Sequence, residues 1–433
     1  MLDHIGYSQS MVHDRRAAWR EHDAIMSGKR QATTEITAGS KGEGFTAPFE
    51  SDTDCVILSN NTLCRLPDDD TVQLPDTHYE FIMDYEHCHP GHFRLELKHT
   101  GTLEISNIEE ALFVHDNGRT FISSAKYRKS FIDKTNETVS GPALTGCTEY
   151  LSWDHVYAFP CTSQQQLLSE WINRPRHHHW PSSDLISEVS ELQAQMVPVG
   201  CKSSEHKDIE WRVCFIFSEQ KLTDSWNGKQ YKVYILLKLL TKSQLKPIND
   251  VISSYLLKNI MLWFTEQNPT QIFKKQHLFQ NVISCLRNLK DAIHANYLPY
   301  YMVPSRNLLT GRMIPDQQQQ LIAKLDELIQ EGPLVIMRCP KVLTALNMSP
   351  TELARKGRWR NKLEKLYLQR ENIWPTYWWP GMETKRLHQL VWSDPHYASM
   401  RDKLRKMLWP EWKQSQRDYF GRVLKRKVAG ALS

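Results

Sequence analysis

"GSKGEGFTAPFESDTDCVIL", residues Gly39 to Leu58, decides the reading of this chain. It holds a Gly-Ser turn, two further glycines, then Asp52 and Asp54 at the mouth of an apolar run. "CVILS" reads as a buried strand from its apolar and β-branched content. Residues i and i+2 of a strand face the same way, so Asp52 and Asp54 are expected to share a face. Two carboxylates in a low-dielectric place repel each other and need positive partners to stay ionised. Magnesium takes hard oxygen ligands and keeps phosphates as co-ligands. Two such ions can hold an attacking hydroxyl and a leaving pyrophosphate in line. A third acid from a neighbouring strand is then expected, and "SWDHVYAF" supplies Asp154 among aromatics, where an unpaired acid is costly. Gly39 and Ser40 offer a backbone turn that can approach phosphate closely, plus one hydroxyl. Alone, Gly-Ser with spaced acids is also what an ordinary turn looks like, with Asp52 as its cap.

Outward from this stretch, residues 11–30 read as a helix, with Met11, Ala18, Ile25 and Met26 on one face. "HYEFIMDYE", "FRLELKH" and "WDHVYAFPC" read as strands, the last ended by Pro160. "RTFISSAKYRKSFI" is ambiguous. "SQQQLLSEWINRPR" predicts a helix closed by Pro175, and "WPSSDLISEVSEL" a capped helix. "WRVCFIFSEQKL" begins as a strand. After Gly228 three amphipathic helical stretches follow one another, then a further helix over "PDQQQQLIAKLDELIQEGP", which together predict a helical lobe.

The totals bound the classes. A chain of 433 residues, 40% hydrophobic and 24% charged, suits a globular protein of two or three domains. The strongest apolar run, "VYILLKLL", carries Lys238, so neither a membrane span nor a membrane partner is expected, and the first residues lack a signal-peptide pattern. Nine scattered cysteines without CxxC pairs suggest reduced thiols and a cytoplasmic setting. The net charge of +5 is uneven: residues 351–433 hold 19 Lys and Arg against 8 Asp and Glu, while the rest of the chain is net negative. Half of the 14 tryptophans also fall there, which points to an anionic partner or to a solvated, well-packed helical face. "EHCHPGH" (His87, Cys88, His89, His92) has metal-like letters but reads better as a hairpin turn. His177, His178 and His179 read as a polar loop. No P-loop or nucleophile–base set is present.

Several motifs in one order carry a resemblance. "GSKGEGFTAPFESDTDCVIL" resembles the Gly-Ser and acid-x-acid signature of nucleotidyltransferases in the form used by cyclic GMP-AMP synthase and its animal relatives, the Mab-twenty-one domain family. "LSWDHVYAFPC", "EWRVCFIFSEQKL", "YLLKNIMLWFTEQNP" and "LRNLKDAIHANYLPYYMVPSRNLL" are similar to its third-acid strand, Trp-Arg strand and helical lobe. The likeness covers about residues 10–310. It implies an α+β, bilobed nucleotidyltransferase fold: a mixed-sheet catalytic lobe with a spine helix over 1–175, a helical lobe over 176–310 and a basic, Trp-rich helical extension over 311–433. It implies Asp52, Asp54 and Asp154 as catalytic ligands of magnesium or manganese, and Gly39 and Ser40 at the triphosphate of ATP or GTP. Arg212 and Glu219 would contact nucleotide, Lys238 would reach phosphate, and Tyr255 would stack on a base beside Ser254 and Lys258.

The departures matter. Ala38 stands where the synthase has a threonine, and Cys214 and Ile216 where it has serines, so base choice is open. "QKLTDSWNGKQYKVY" has no Cys or His, so the zinc insertion of the DNA-sensing form cannot be built and no zinc is expected. That weakens the case for DNA, and the resemblance to the active zinc-less relatives, which tend to recognise double-stranded RNA, implies RNA as the activator, with an oligomer on the nucleic acid. A basic face on the first helix (Arg15, Arg16, Arg20, Lys29, Arg30) is its expected seat. The implied activity is joining of ATP and GTP into a cyclic dinucleotide, an immune second messenger. The alternatives are a non-catalytic scaffold and a transferase making linear products.

Overall fold

The computed structural model describes residues 1–69, 74–116, 118–132, 137–148, 151–408 and 420–432. The chain mixes helix and sheet and divides into two compact units, each discontinuous in sequence. The first comprises residues 1–58, 145–156 and 344–433; the second comprises 59–144 and 157–343.

In the first unit the helix Gln9–Lys29 follows Ser8, whose side chain accepts from the backbone N–H of Met11. Strand Thr33–Thr37 pairs with strand Thr53–Ser59, which pairs with strand Ser152–Cys161. The region read as turns holds a short helical turn, Gly39–Gly42. The C-terminal helices return to the first one. Ala47, Leu363, Tyr367, Leu404, Leu424, Val428 and Leu432 form a single apolar cluster there. Arg15, fully buried, donates from Nε to Glu364 Oε1 at 2.5 Å and from Nη2 to the Gly6 carbonyl at 2.7 Å. Arg360 donates to the other Glu364 oxygen at 2.9 Å.

This packing engages four of the five basic residues named on the first helix. Arg15 is spent on a buried ion pair, and Arg16 donates to the Glu43 carbonyl at 2.9 Å. Lys29 donates to the Thr376 carbonyl, and the Arg30 guanidinium lies 4.8 Å from the Trp378 ring centre. The amphipathic pattern gave the helix correctly, but not the C-terminal partners of Arg15, Lys29 and Arg30; Arg20 is exposed.

In the second unit strand Ala194–Val197 pairs antiparallel with the end of Ser152–Cys161 and with Glu210–Cys214. Glu210–Cys214 pairs antiparallel with His92–His99, which pairs antiparallel with Tyr79–Asp84, itself parallel to Thr62–Arg65. Pro160 does not end its strand: it stands opposite Gln195, and the strand runs to Cys161. Trp211 stacks on Phe159 (4.8 Å between centres), and Phe159 on Phe81 (5.5 Å), all fully buried. The ambiguous stretch resolves into strand Thr120–Ile122 and helix Ser124–Ile132. The single helix expected after Ser163 is two short ones, Gln164–Leu167 and Ser169–Asn173. "EHCHPGH" is the hairpin between Tyr79–Asp84 and His92–His99, with Gly91 at φ +72°.

Helices Gln230–Leu240, Ser254–Glu266, Leu278–His294 and Pro315–Glu331 follow. Their buried stripes, including Leu237, Met261, Leu286, Leu289, Leu325 and Leu328, match the expected amphipathic spacing. All nine cysteines are free thiols. Among the described residues no helix is long and apolar enough to cross a membrane.

Candidate functional site

In the first unit one of the acids, Asp54, lies against a glycine. Gly39 has φ +58°, and a Cβ built on it would stand 2.1 Å from Asp54 Oδ2. Only glycine lets the loop and the carboxylate approach this closely. The Ala38 N–H donates to the Asp54 carbonyl at 2.8 Å, which fixes the loop to the strand, and Ser40 beside it is buried. Burial, then the charges of Asp154 and Asp52, push the Asp54 carboxyl up to about 6. The three aspartates therefore share one electrostatic neighbourhood.

Their details differ from the simplest expectation. The strand begins at Thr53, so Asp52 precedes it and is exposed. Asp52 Oδ1 accepts from the Ser152 hydroxyl, and Asp154 Oδ1 accepts from Thr145 Oγ1 at 2.6 Å. Each flanking acid is held by a hydroxyl of its own. The three are hard oxygen donors available to a divalent cation. Among the described residues, however, no group of three or more His, Cys, Asp or Glu side chains is drawn together closely enough to hold one as it stands.

Lys41, which the sequence reading passed over, is buried here. Its Nζ donates to Thr53 Oγ1 at 2.6 Å. Burial pushes its ammonium down to about 8, against the attraction of Asp54 and Asp52. The signal was available: a lysine two residues after the glycine of a Gly-Ser turn, ahead of paired acids.

In the second unit Glu219, Tyr255 and Lys258 converge. Lys258 Nζ lies 2.5 Å from Glu219 Oε2, both buried. The Tyr255 hydroxyl donates to Glu219 Oε1 at 3.3 Å, and Tyr300 donates to the same oxygen at 2.7 Å. Tyr255 and Tyr300 lie 6.1 Å apart between ring centres. Burial, then the Glu219 charge, raises both phenols, so they stay protonated donors. Arg212 stands opposite His92 in the sheet register. Lys238 Nζ lies 5.6 Å from the Tyr234 ring centre, and the Tyr234 hydroxyl donates to the Ser254 carbonyl at 3.1 Å. Ser254 itself is exposed, and Ser253 caps that helix instead. Tyr300, from an irregular loop, was not foreseen, because no periodicity marks a loop tyrosine as a partner of Glu219.

One comparison bears on this second unit. Residues 229–327, from the start of helix Gln230–Leu240 into helix Pro315–Glu331, match the Mab-21 protein HhH/H2TH-like domain, the C-terminal domain of a nucleotidyltransferase-like family, to which this segment is similar.

Proposed function

We propose that this protein is a nucleotidyltransferase of the cyclic dinucleotide type, with a bilobed fold, joining ATP and GTP into a product such as cyclic GMP-AMP. The observation that carries the reading is the Gly39–Asp54 contact, with Asp52 and Asp154 in the same electrostatic neighbourhood. A glycine turn held against a carboxylate is what a triphosphate needs on one side and a cation on the other. Asp52, Asp54 and Asp154 would hold magnesium, which when bound stabilises charge on the reacting phosphate and its leaving group. Gly39 and Ser40 would face the phosphates, and Lys41 adds a buried positive charge beside them. In the second unit Tyr255 would stack on a base, with Glu219 accepting from its hydroxyl and Lys258 paired to Glu219; Arg212, Lys238 and Ser254 would contact nucleotide. A ribose hydroxyl attacks an α-phosphorus, loses its proton and expels pyrophosphate; a second such transfer closes the ring.

Double-stranded RNA is the proposed activator, and the cytoplasm the proposed location. The proposed contact face is on helix Pro350–Glu371, where Arg355, Arg358 and Lys362 are exposed on one side. The competing readings are a non-catalytic scaffold and a transferase making linear products.

Purified protein incubated with ATP, GTP and magnesium, with and without double-stranded RNA or DNA, separates these readings once products are resolved by chromatography. A cyclic product dependent on RNA is expected, with loss in Asp52→Asn/Asp54→Asn and in Arg358→Glu/Lys362→Glu. Linear products would replace cyclisation by simple transfer, and no product under any condition would leave the scaffold.

A further inference from the structure

Three arginines gather in the second unit, and among the described residues none of them is ion-paired with an acid. Arg212 comes from strand Glu210–Cys214. Arg306 lies on the loop after helix Leu278–His294, 7% exposed, its guanidinium carbon 5.1 Å from the Tyr300 ring centre. Arg312 follows six residues later and is half-buried. Arg306 Nη1 and Arg212 Nε are buried with no hydrogen-bond partner among the described residues. The neighbourhood is built for this approach: Gly91 has φ +72°, and a Cβ on it would meet Arg306 Cδ at 3.1 Å.

The electrostatics agree at Arg312 and His92, whereas at Arg212 burial is outweighed by Cys214, with which it hydrogen-bonds, and by Tyr255 and Tyr300, so it is raised. Burial, then the positive charges of Arg212 and Arg306, lower Arg312 from its ordinary value. Burial, then Arg306 and Arg212, push His92 down to about 3, so it is neutral. The nearby carboxylate, Glu219, is engaged by Lys258, Tyr255 and Tyr300. Buried like charges with unmet N–H donors are costly on their own. Guanidinium forks match phosphate oxygens, and the adjoining Tyr255 ring offers a face to an aromatic base.

We propose that Arg212, Arg306 and Arg312 form a phosphate-binding site that takes the phosphate group of a nucleotide. The identity of the ligand rests on the functional reading above; the anion site itself does not. Arg306 and Arg312 become specificity-determining residues for a phosphorylated ligand, beside the residues already named.

Calorimetric titration of the full chain in EDTA, with inorganic triphosphate, ATP and GTP, tests this. Binding without metal is expected, with a nucleotide tighter than triphosphate. Arg306→Gln and Arg312→Gln should each weaken it by roughly tenfold or more, and Arg306→Lys by less. Without ligand, Arg312→Gln should melt no lower than the parent, because a repulsive charge is gone; this separates a binding role from a structural one. Undiminished binding in Arg312→Gln, or no metal-free binding by the parent, overturns the site. Equal affinity for triphosphate and nucleotide overturns the nucleotide assignment. Arginine-dependent nucleotide binding without any dinucleotide product would sink the proposed activity and leave the site standing.

Discussion

At the scale of single residues, Asp54 is the group under most tension. Its carboxyl sits at about 6 in the folded chain against an ordinary 3.8. Below pH 4 it is protonated whether the chain is folded or not. As pH rises from about 4 to about 6 the unfolded chain releases the proton first, so folded stability falls, by about 3 kcal/mol once the shift is complete. Asp54→Asn should therefore match the parent near pH 4 and exceed it above pH 6, in urea denaturation of metal-free protein. Equal stability at pH 7.5 would refute the argument. Gly39→Ala makes the complementary case. A left-handed backbone costs a non-glycine residue about 1 kcal/mol, and its Cβ would push the Asp54 carboxylate aside. We expect a loss of about 1–2 kcal/mol in denaturant stability and a larger proportional loss of product. The acid spacing and the Gly-Ser turn were legible in the sequence because they are local. Tyr300, 81 positions from Glu219, was not, because a loop residue carries no periodic signature of its partner.

At the scale of elements, the first helix shows how a correct assignment can mislead about use. Its length and face follow from spacing alone, yet Arg15 is committed to Glu364, 349 positions away. Glu364 neutralises both Arg15 and Arg360 in a fully buried setting. Glu364→Gln leaves two guanidinium groups without a counter-charge and should cost about 3–5 kcal/mol. Replacing Arg15, Arg360 and Glu364 together by Met should cost less than that single change, as thermal and urea unfolding would reveal. If the single variant were as stable as the parent, the pair would be peripheral to the fold. In the second unit the helical stretches after Gly228 were readable because their apolar stripes recur at helical spacing. The split after Ser163 was not, since nothing in the sequence distinguishes one helix from two consecutive short turns.

At the scale of the whole molecule, the first unit is assembled from both ends of the chain. Ala47 shares its cluster with Leu363, Tyr367, Leu404 and Leu424, so the N-terminal segment lacks much of its core without the C-terminal one. Ending the chain after Leu343 should expose this cluster and abolish cooperative unfolding of the first unit, seen as a lost transition in calorimetry. A truncated chain with an unchanged first transition would contradict that assembly. The sequence by itself determined the elements and the chemical types: the strand after paired acids and the helical run after Gly228; the roles of the aspartates and of the tyrosine–lysine pair are what the resemblance implies. Alternation, helical spacing and residue chemistry are written locally. Only the tertiary structure decided which charges are spent and which are gathered, burying Arg15 against Glu364 and bringing Arg212, Arg306 and Arg312 together. Those outcomes depend on chain closure across hundreds of residues, where burial and mutual charge, not local pattern, set the energy.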